Sequence, residues 1–198
     1  MSSTARSEKM SAEVRSATMQ TSGGTYFDFV DPDSSTIAIT DIAHALSNIC
    51  RFTGHPRGFY SVAEHSIFCS QLVPLEDAAA ALMHDAAEAY CGDVSSPLRA
   101  LLPGYEVILR RVEAAVAERF GMPLPLPETV KTADRQMLRL EQRFAMVSGD
   151  RWAGLDYEES LPRITLRFWP PATARQHFLR RAMELGITAW DKSSGSYR

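Results

Sequence analysis

Cysteine is scarce in this chain: Cys50, Cys69 and Cys91 are the three among 198 residues, and no pair has CxxC spacing. An odd, dispersed set excludes a disulfide framework. Each is expected as a buried thiol in a predicted helix, in a reducing cytoplasm. Long apolar runs are missing too. None approaches the roughly 18 residues of a membrane span, and residues 1–22 lack the apolar centre of a signal peptide. Basic charge is not in excess, since 21 Lys and Arg against 24 Asp and Glu give a formal net charge of -3. That balance argues against a general nucleic-acid or anionic-membrane binder. Common catalytic strings are also absent, namely HExxH, H-x-E with P-C-x-x-C, a Walker A loop and GxSxG.

What is present is ordinary globular composition, 45% hydrophobic and 23% charged. A core of this size stands without disulfides or a structural metal, so a metal here would serve chemistry. Residues 1–22, rich in Ser, Thr and charge, are expected as a disordered leader, and 191–198 as an unstructured tail. Residues 23–190 should then form one domain.

The periodicity is helical almost throughout. Short extended segments are expected at 26–30, 36–40 and 164–169, where aromatic and β-branched residues gather. Thr40 is placed to cap a helix whose Ile42, Ala45, Leu46 and Ile49 form one stripe. Ser61 and Glu64 have capping-box spacing, opening a helix that ends before Pro74. The alanine-rich stretch 76–91 reads as one helix stopped by Gly92. A third stripe, Val107, Ile108, Val112, Ala115, Val116 and Phe120, is expected to face inward, with Gly121 as the stop. The stiff connector "PLPLP" leads to a helix over 128–147. Thr173 and Gln176 mark a second capping box for a final helix ending at Gly186. The expected class is all-α, a helical bundle with minor peripheral strands.

Several ionisable residues sit where apolar ones belong. His65 shares a helix face with Val62, Phe68, Cys69 and Leu72. Asp134 lies with Val130, Met137 and Leu138, and Glu141 stands two turns further along. His84 and Asp85 are about 100° apart around their helix, near enough to reach one point, with Glu88 on the same side. A bare carboxylate in an apolar setting costs several kcal/mol unless paired, protonated or coordinated. Taken singly, such a histidine is usually a hydrogen-bonded core residue, and such an aspartate a partner for a nearby Arg. Together, His65, His84, Asp85 and Asp134 on three helices read equally as separately satisfied core residues or as a ligand set for one divalent cation. Cys69, four residues after His65, is a further candidate ligand, though a core thiol is the preferred reading.

These residues resemble the H…HD…D signature of the HD-domain metal-dependent phosphohydrolases: His65 in "VAEHS", His84-Asp85 in "LMHDAAEAYCGDV" and Asp134 in "VKTADRQ". The chain is most similar to the small 5'-deoxynucleotidase group, in which an arginine-aromatic pair precedes the first His, here Arg51-Phe52 in "CRFTGH". Glu88, Asp93 and the loop "SSPL" match that group's pattern after the HD doublet. The bacterial nucleotidases have Trp after the Arg, where this chain has Phe52. The stretch "DIAHALSNICRFTGH" also resembles phage-encoded enzymes that hydrolyse deoxynucleoside triphosphates such as dATP. The likeness covers residues 26–141.

The resemblance implies a helical HD domain that releases phosphate from deoxynucleoside monophosphates. The alternatives are a triphosphohydrolase and a non-catalytic nucleotide-binding protein. It implies one divalent ion (Co, Mn, Zn, Mg, Ni or Fe) on His65, His84, Asp85 and Asp134, since the extra histidines of two-metal relatives are missing between Asp85 and Asp134. Glu88 would exchange protons with water or the leaving group, or is a solvated helix residue. Arg51 would pair phosphate oxygens and Phe52 would offer a stacking surface. His55 and Arg57 add positive charge or are loop residues, and Asp93 orients a ligand or makes an Asx turn. The implied setting is a cytoplasmic homo-oligomer with a small-molecule nucleotide substrate and neither nucleic acid nor membrane as partner.

Overall fold

The computed structural model of the protein describes residues 17–158 and 160–187, together with the backbone of 190–191 and 196–197. The first sixteen residues of the expected leader, and residues 192–195 and 198 of the expected tail, lie outside the described residues. Thr18–Gln20 (β1) fall inside the stretch expected as leader, yet they pair antiparallel with Tyr26–Asp28 (β2), Thr18 opposite Asp28 and Gln20 opposite Tyr26. Phe27 explains why the hairpin holds. Its ring is fully buried and stacks on Tyr90 at 3.9 Å between centroids, anchoring both strands to the helices beneath.

Eight helices follow among the described residues. They are α1 Ile39–Asn48, α2 Val62–Cys69, α3 Ala78–Met83, α4 Glu88–Cys91, α5 Ser96–Arg99, α6 Pro103–Phe120, α7 Glu128–Phe144 and α8 Pro171–Glu184. A second two-stranded pairing, Trp190–Asp191 (β3) with Ser196–Tyr197 (β4), closes the chain. The bundle is therefore mostly helical with two small antiparallel hairpins, as the periodicity predicts. No helix among the described residues is long and apolar enough to cross a membrane.

Helix α2 is the hub. It packs on α1, α3, α7 and α8, and all eight of its residues are buried. On one side lies the larger core, including Phe27, Ile42, Leu46, Leu82, Val112, Val116 and Phe178. On the other, Phe68, Cys69, Ala80, Ala81, Val130, Met137 and Leu140 form a smaller one. Each fully buried Leu or Phe contributes about 1.5–3 kcal/mol through lost water contact. A helix surrounded on every side has no solvent face for its polar residues, so Glu64 and His65 must be satisfied internally.

Several expected boundaries differ, each for a local reason. α1 starts at Ile39 behind Ala38 rather than at a Thr40 cap, so 36–40 is not a strand. α8 opens on Pro171 behind Pro170, which makes Thr173 an interior residue; proline suits the first helical position because its missing N–H would have no partner there. α7 ends at Phe144, three residues early, and the Arg57 backbone N–H bonds the Ala145 carbonyl. In α6 the buried face is set by Leu109, Val112, Val116 and Phe120. Val107 stands 200° from Leu109 around the helix, and Val107 and Ile108 are exposed instead of inward.

Two differences bear on the site. The stretch 76–91 is not one helix: it breaks into α3 and α4 across 84–87, where Ala86 N–H bonds Met83 O and Glu88 N–H bonds Asp85 O in tighter, three-residue steps. Segment 164–169 finds no strand partner among the described residues. The backbone N–H groups of Arg167, Phe168 and Trp169 instead donate to the buried Glu64 carboxylate, at 2.6, 3.1 and 2.8 Å. Ser61 Oγ does accept from Glu64 N–H at 3.1 Å, as a cap should, but the Glu64 side chain serves this strap rather than returning to Ser61.

Candidate metal centre

His65 projects from the middle of α2, fully buried. Its Nδ1–H donates to Glu141 Oε1 at 2.5 Å, which leaves the Nε2 lone pair pointing away. His84 stands at the end of α3, where the helix breaks. Its Nδ1–H donates to Ala81 O at 2.8 Å, leaving its Nε2 in the same condition. The two Nε2 atoms face each other across 3.3 Å, and Asp134 Oδ1, from α7, lies 3.2 Å from the first and 3.9 Å from the second. Three electron-rich atoms converging on one point repel one another unless a cation lies between them.

The spacing suits a metal ion. Two ligand atoms about 2.0–2.1 Å from one ion at a tetrahedral angle stand about 3.3–3.4 Å apart. Cys69 Sγ, one helical turn after His65, is 3.4 Å from His65 Nε2. Ligand atoms of His65, Cys69, His84 and Asp134 all lie within 4.8 Å of one another. These four residues form a candidate divalent-metal site, and the set is chemically coherent: two imidazoles, a carboxylate and a thiol. The preferred sequence reading of Cys69 as core thiol is thus incomplete, because it both packs in the smaller core and faces the cluster. Asp85 adjoins the site, with Oδ1 3.3 Å from His84 Nε2 and Oδ2 3.7 Å from His65 Nε2.

The chain surrounding this point has its own pattern. The sequence is 45% identical to the Escherichia coli (strain K12) protein YfdR over 161 residues, covering 81% of this chain and 89% of that one. The chain belongs to the YfdR family. It is also 35% identical over 184 residues to a Rhodobacter capsulatus protein, covering 81% of this chain and 94% of that one. Both relatives are described as uncharacterized. No family model matches the chain.

In this member of the YfdR family a shell of charge surrounds the cluster. Glu141, on α7 two turns beyond Asp134, is wholly buried. Its Oε1 accepts from His65 and from the Tyr60 hydroxyl at 2.9 Å. Its Oε2 takes Arg51 Nε and Nη2, each at 3.1 Å. Burial works against the Glu141 carboxylate, but Arg51 and His65 outweigh it and hold its pKa below the ordinary value. Asp134 is likewise held low, burial being outweighed by His65, then His84 and Arg51. For His65, burial and Arg51 favour the neutral ring, yet Cys69, Glu141 and Asp134 together raise it well above the usual imidazole range. Where no metal is bound, a proton on His65 is the alternative cation.

Glu88 behaves in the opposite way. It opens α4, its Oε2 is buried with no hydrogen-bond partner among the described residues, and burial with Asp85 and Asp93 nearby pushes its pKa well up. Burial and two neighbouring carboxylates thus favour the protonated form of Glu88 more than solvent would. The reading of Glu88 as a solvated helix residue does not hold.

The substrate-side residues divide. Arg51 is buried, and its remaining nitrogen, Nη1, lies 3.5 Å from Asp85 Oδ2. Phe52 is half-exposed, 5.2 Å from the Arg51 guanidinium. Asp93 accepts the Phe52 backbone N–H; burial raises its pKa while Arg51 opposes. His55 and Arg57 are exposed. The Arg57 guanidinium bonds Val147 O at 3.2 Å, so Arg57 fastens its loop to the end of α7.

Sequence reasoning gave Glu141 no role. Its place was visible, since seven residues after Asp134 is two helical turns along the same apolar stripe, but nothing nearby in sequence names its partners Arg51, Tyr60 and His65.

Proposed function

We propose that this protein is a metal-dependent phosphohydrolase of the HD-domain type, acting on deoxynucleotides and releasing phosphate from deoxynucleoside monophosphates. The observation carrying this reading is the meeting of two histidine Nε2 atoms and an Asp134 oxygen near Glu88, whose Oε2 is buried without a hydrogen-bond partner among the described residues. A strong cation site next to a carboxylic acid is the equipment for splitting a phosphate ester at neutral pH.

His65, His84 and Asp134 would hold the ion, with Asp85 and Cys69 as the adjoining donors. A divalent ion held there would supply a lowered water pKa and polarisation of a phosphoryl oxygen. The protein's own work is positioning and charge. Arg51 Nη1, the one guanidinium nitrogen not engaged by Glu141, offers donors to a phosphoryl oxygen. The attack of water on phosphorus breaks the bond to the ester oxygen, and that oxygen takes the Glu88 proton as it leaves. Asp93 keeps the Arg51-Phe52 loop in register with α4 through the Phe52 N–H.

The test is a screen of deoxynucleoside monophosphates, ribonucleoside monophosphates and deoxynucleoside triphosphates with Mn, Co, Zn and Mg, products separated. Nucleoside plus phosphate from the deoxynucleoside monophosphates is expected. Tripolyphosphate would move the activity to the triphosphates, and no turnover of any substrate would overturn the proposal.

A further inference from the structure

The loop after Arg51 has a backbone that L residues avoid. Phe52 (φ 52°, ψ 37°) and Thr53 (φ 56°, ψ 30°) are both left-handed, and Gly54 follows at φ 85°. Left-handed geometry in a bulky residue is unfavourable and persists only where the surroundings enforce it. Here they do: Arg51 N–H bonds Tyr60 O, His55 N–H bonds Phe52 O, and Asp93 takes the Phe52 N–H. The strain does not bury the Phe52 ring, which stays half-exposed. It directs the ring at Trp152, with centroids 5.5 Å apart and planes at 63°.

Trp152 is half-exposed as well, and it is held. Its backbone N–H donates to the Tyr157 hydroxyl at 2.6 Å, and that hydroxyl reaches Gln142 on α7. The Tyr157 ring lies 5.3 Å from the Arg139 guanidinium of the same helix. The loop carrying Trp152 is thereby fixed to the helix that supplies Asp134 and Glu141. Both rings keep part of their surface exposed, and the Arg51 guanidinium lies 5.2 Å from the Phe52 ring centroid, so flat aromatic surface adjoins a cation at the rim of the metal site.

We propose that Phe52 and Trp152 form an aromatic corner that receives the base of the nucleotide, with Trp152 as its specificity-determining wall. This rests on the phosphohydrolase reading and names the part of the substrate the loop recognises. Every base has a stacking face, so the corner supplies affinity for a nucleoside over a base-less phosphate ester. Phe52 is tied to the metal side through Arg51, so base and phosphate are gripped by adjacent residues.

The test compares dAMP with deoxyribose 5-phosphate, using the metal-loaded full chain, its Trp152→Ala and Trp152→Phe variants, and helical circular dichroism to verify folding. Trp152→Ala should raise KM for dAMP about 5- to 150-fold, with kcat little changed and deoxyribose 5-phosphate turned over as before. Trp152→Phe should recover most of the loss. An unchanged KM for dAMP, or an equal loss on both substrates, overturns the corner while leaving the phosphohydrolase reading intact. If the unmodified protein hydrolyses neither compound, that reading falls, and calorimetry with deoxyadenosine on chelated protein decides the corner by itself. Weaker binding by Trp152→Ala than by the parent supports it, and equal or undetectable binding in both overturns it.

Discussion

His65 and Glu141 are joined by a 2.5 Å Nδ1–H···Oε1 contact between two side chains that are both fully buried. The other oxygen of Glu141 holds Arg51, so one carboxylate orients a metal ligand and a phosphate-binding candidate together. Glu141→Ala should leave His65, Arg51 and the Tyr60 hydroxyl without their shared acceptor. Breaking a buried pair in this way costs about 3–5 kcal/mol, and losing the ligand's orienting partner lowers metal affinity about 10- to 100-fold. Urea unfolding and metal titration read these separately. The pKa of Glu141 is depressed in the folded state, so its stabilising contribution is present above the ordinary carboxylate range and is lost as pH falls through the depressed value. The variant should therefore show a weaker loss of stability on acidification than the parent.

Asp134→Ala should abolish metal binding and phosphate release with helical content retained, because its side chain lies 44% exposed at the edge of the cluster rather than in the core. Cys69→Ala should distinguish metals. A thiolate favours zinc over manganese, so the variant should lose zinc affinity by tenfold or more relative to manganese in competition titrations. Equal losses for both metals would make Cys69 a packing residue. With His65 raised well above the imidazole range when no metal is bound, metal competes with a proton, and apparent affinity should fall as pH falls.

Glu88→Gln should retain metal and lower the rate by about 10²–10⁴-fold, the range for loss of a general acid. The parent's activity should decline on the alkaline side, as Glu88 gives up its proton through its elevated pKa. The sign for stability follows. A carboxyl whose folded pKa is raised contributes stability at low pH that is lost as pH rises through that value. In metal-free protein at pH 8, Glu88→Gln should then be more stable than the parent by thermal unfolding.

Glu64→Ala should strand the backbone N–H groups of Arg167, Phe168 and Trp169. Each buried, unsatisfied donor costs about 1–3 kcal/mol. Hydrogen exchange at those three amides should accelerate well before global unfolding, and unchanged protection would show that the strap is held by its side chains.

Much of this arrangement was legible in sequence. Ser61 caps α2 and Gly121 stops α6 because those signals are local and a few residues long. The convergence of His65, His84 and Asp134 followed from ionisable residues on apolar stripes. What escaped depends on distant partners. Glu64 looked like half of a capping box because its true partners lie more than a hundred residues on. Glu141 stood on the apolar stripe without a role because its partners Arg51, Tyr60 and His65 lie 76 to 90 residues away. The break at 84–87 could not be read from an alanine-rich run, whose propensity favours continuing the helix.

The two histidines are oriented by different kinds of partner, and the difference bears on how this family can diverge. His84 is aligned by the Ala81 carbonyl, a main-chain group that no substitution removes, so its neighbours are free to drift. His65 depends on a side chain 76 residues away, so positions 65 and 141 must change together or not at all. In distant homologues, a chain that keeps the HD doublet but has replaced the residue at 141 would have lost control of one imidazole while still displaying the motif by which it would be recognised.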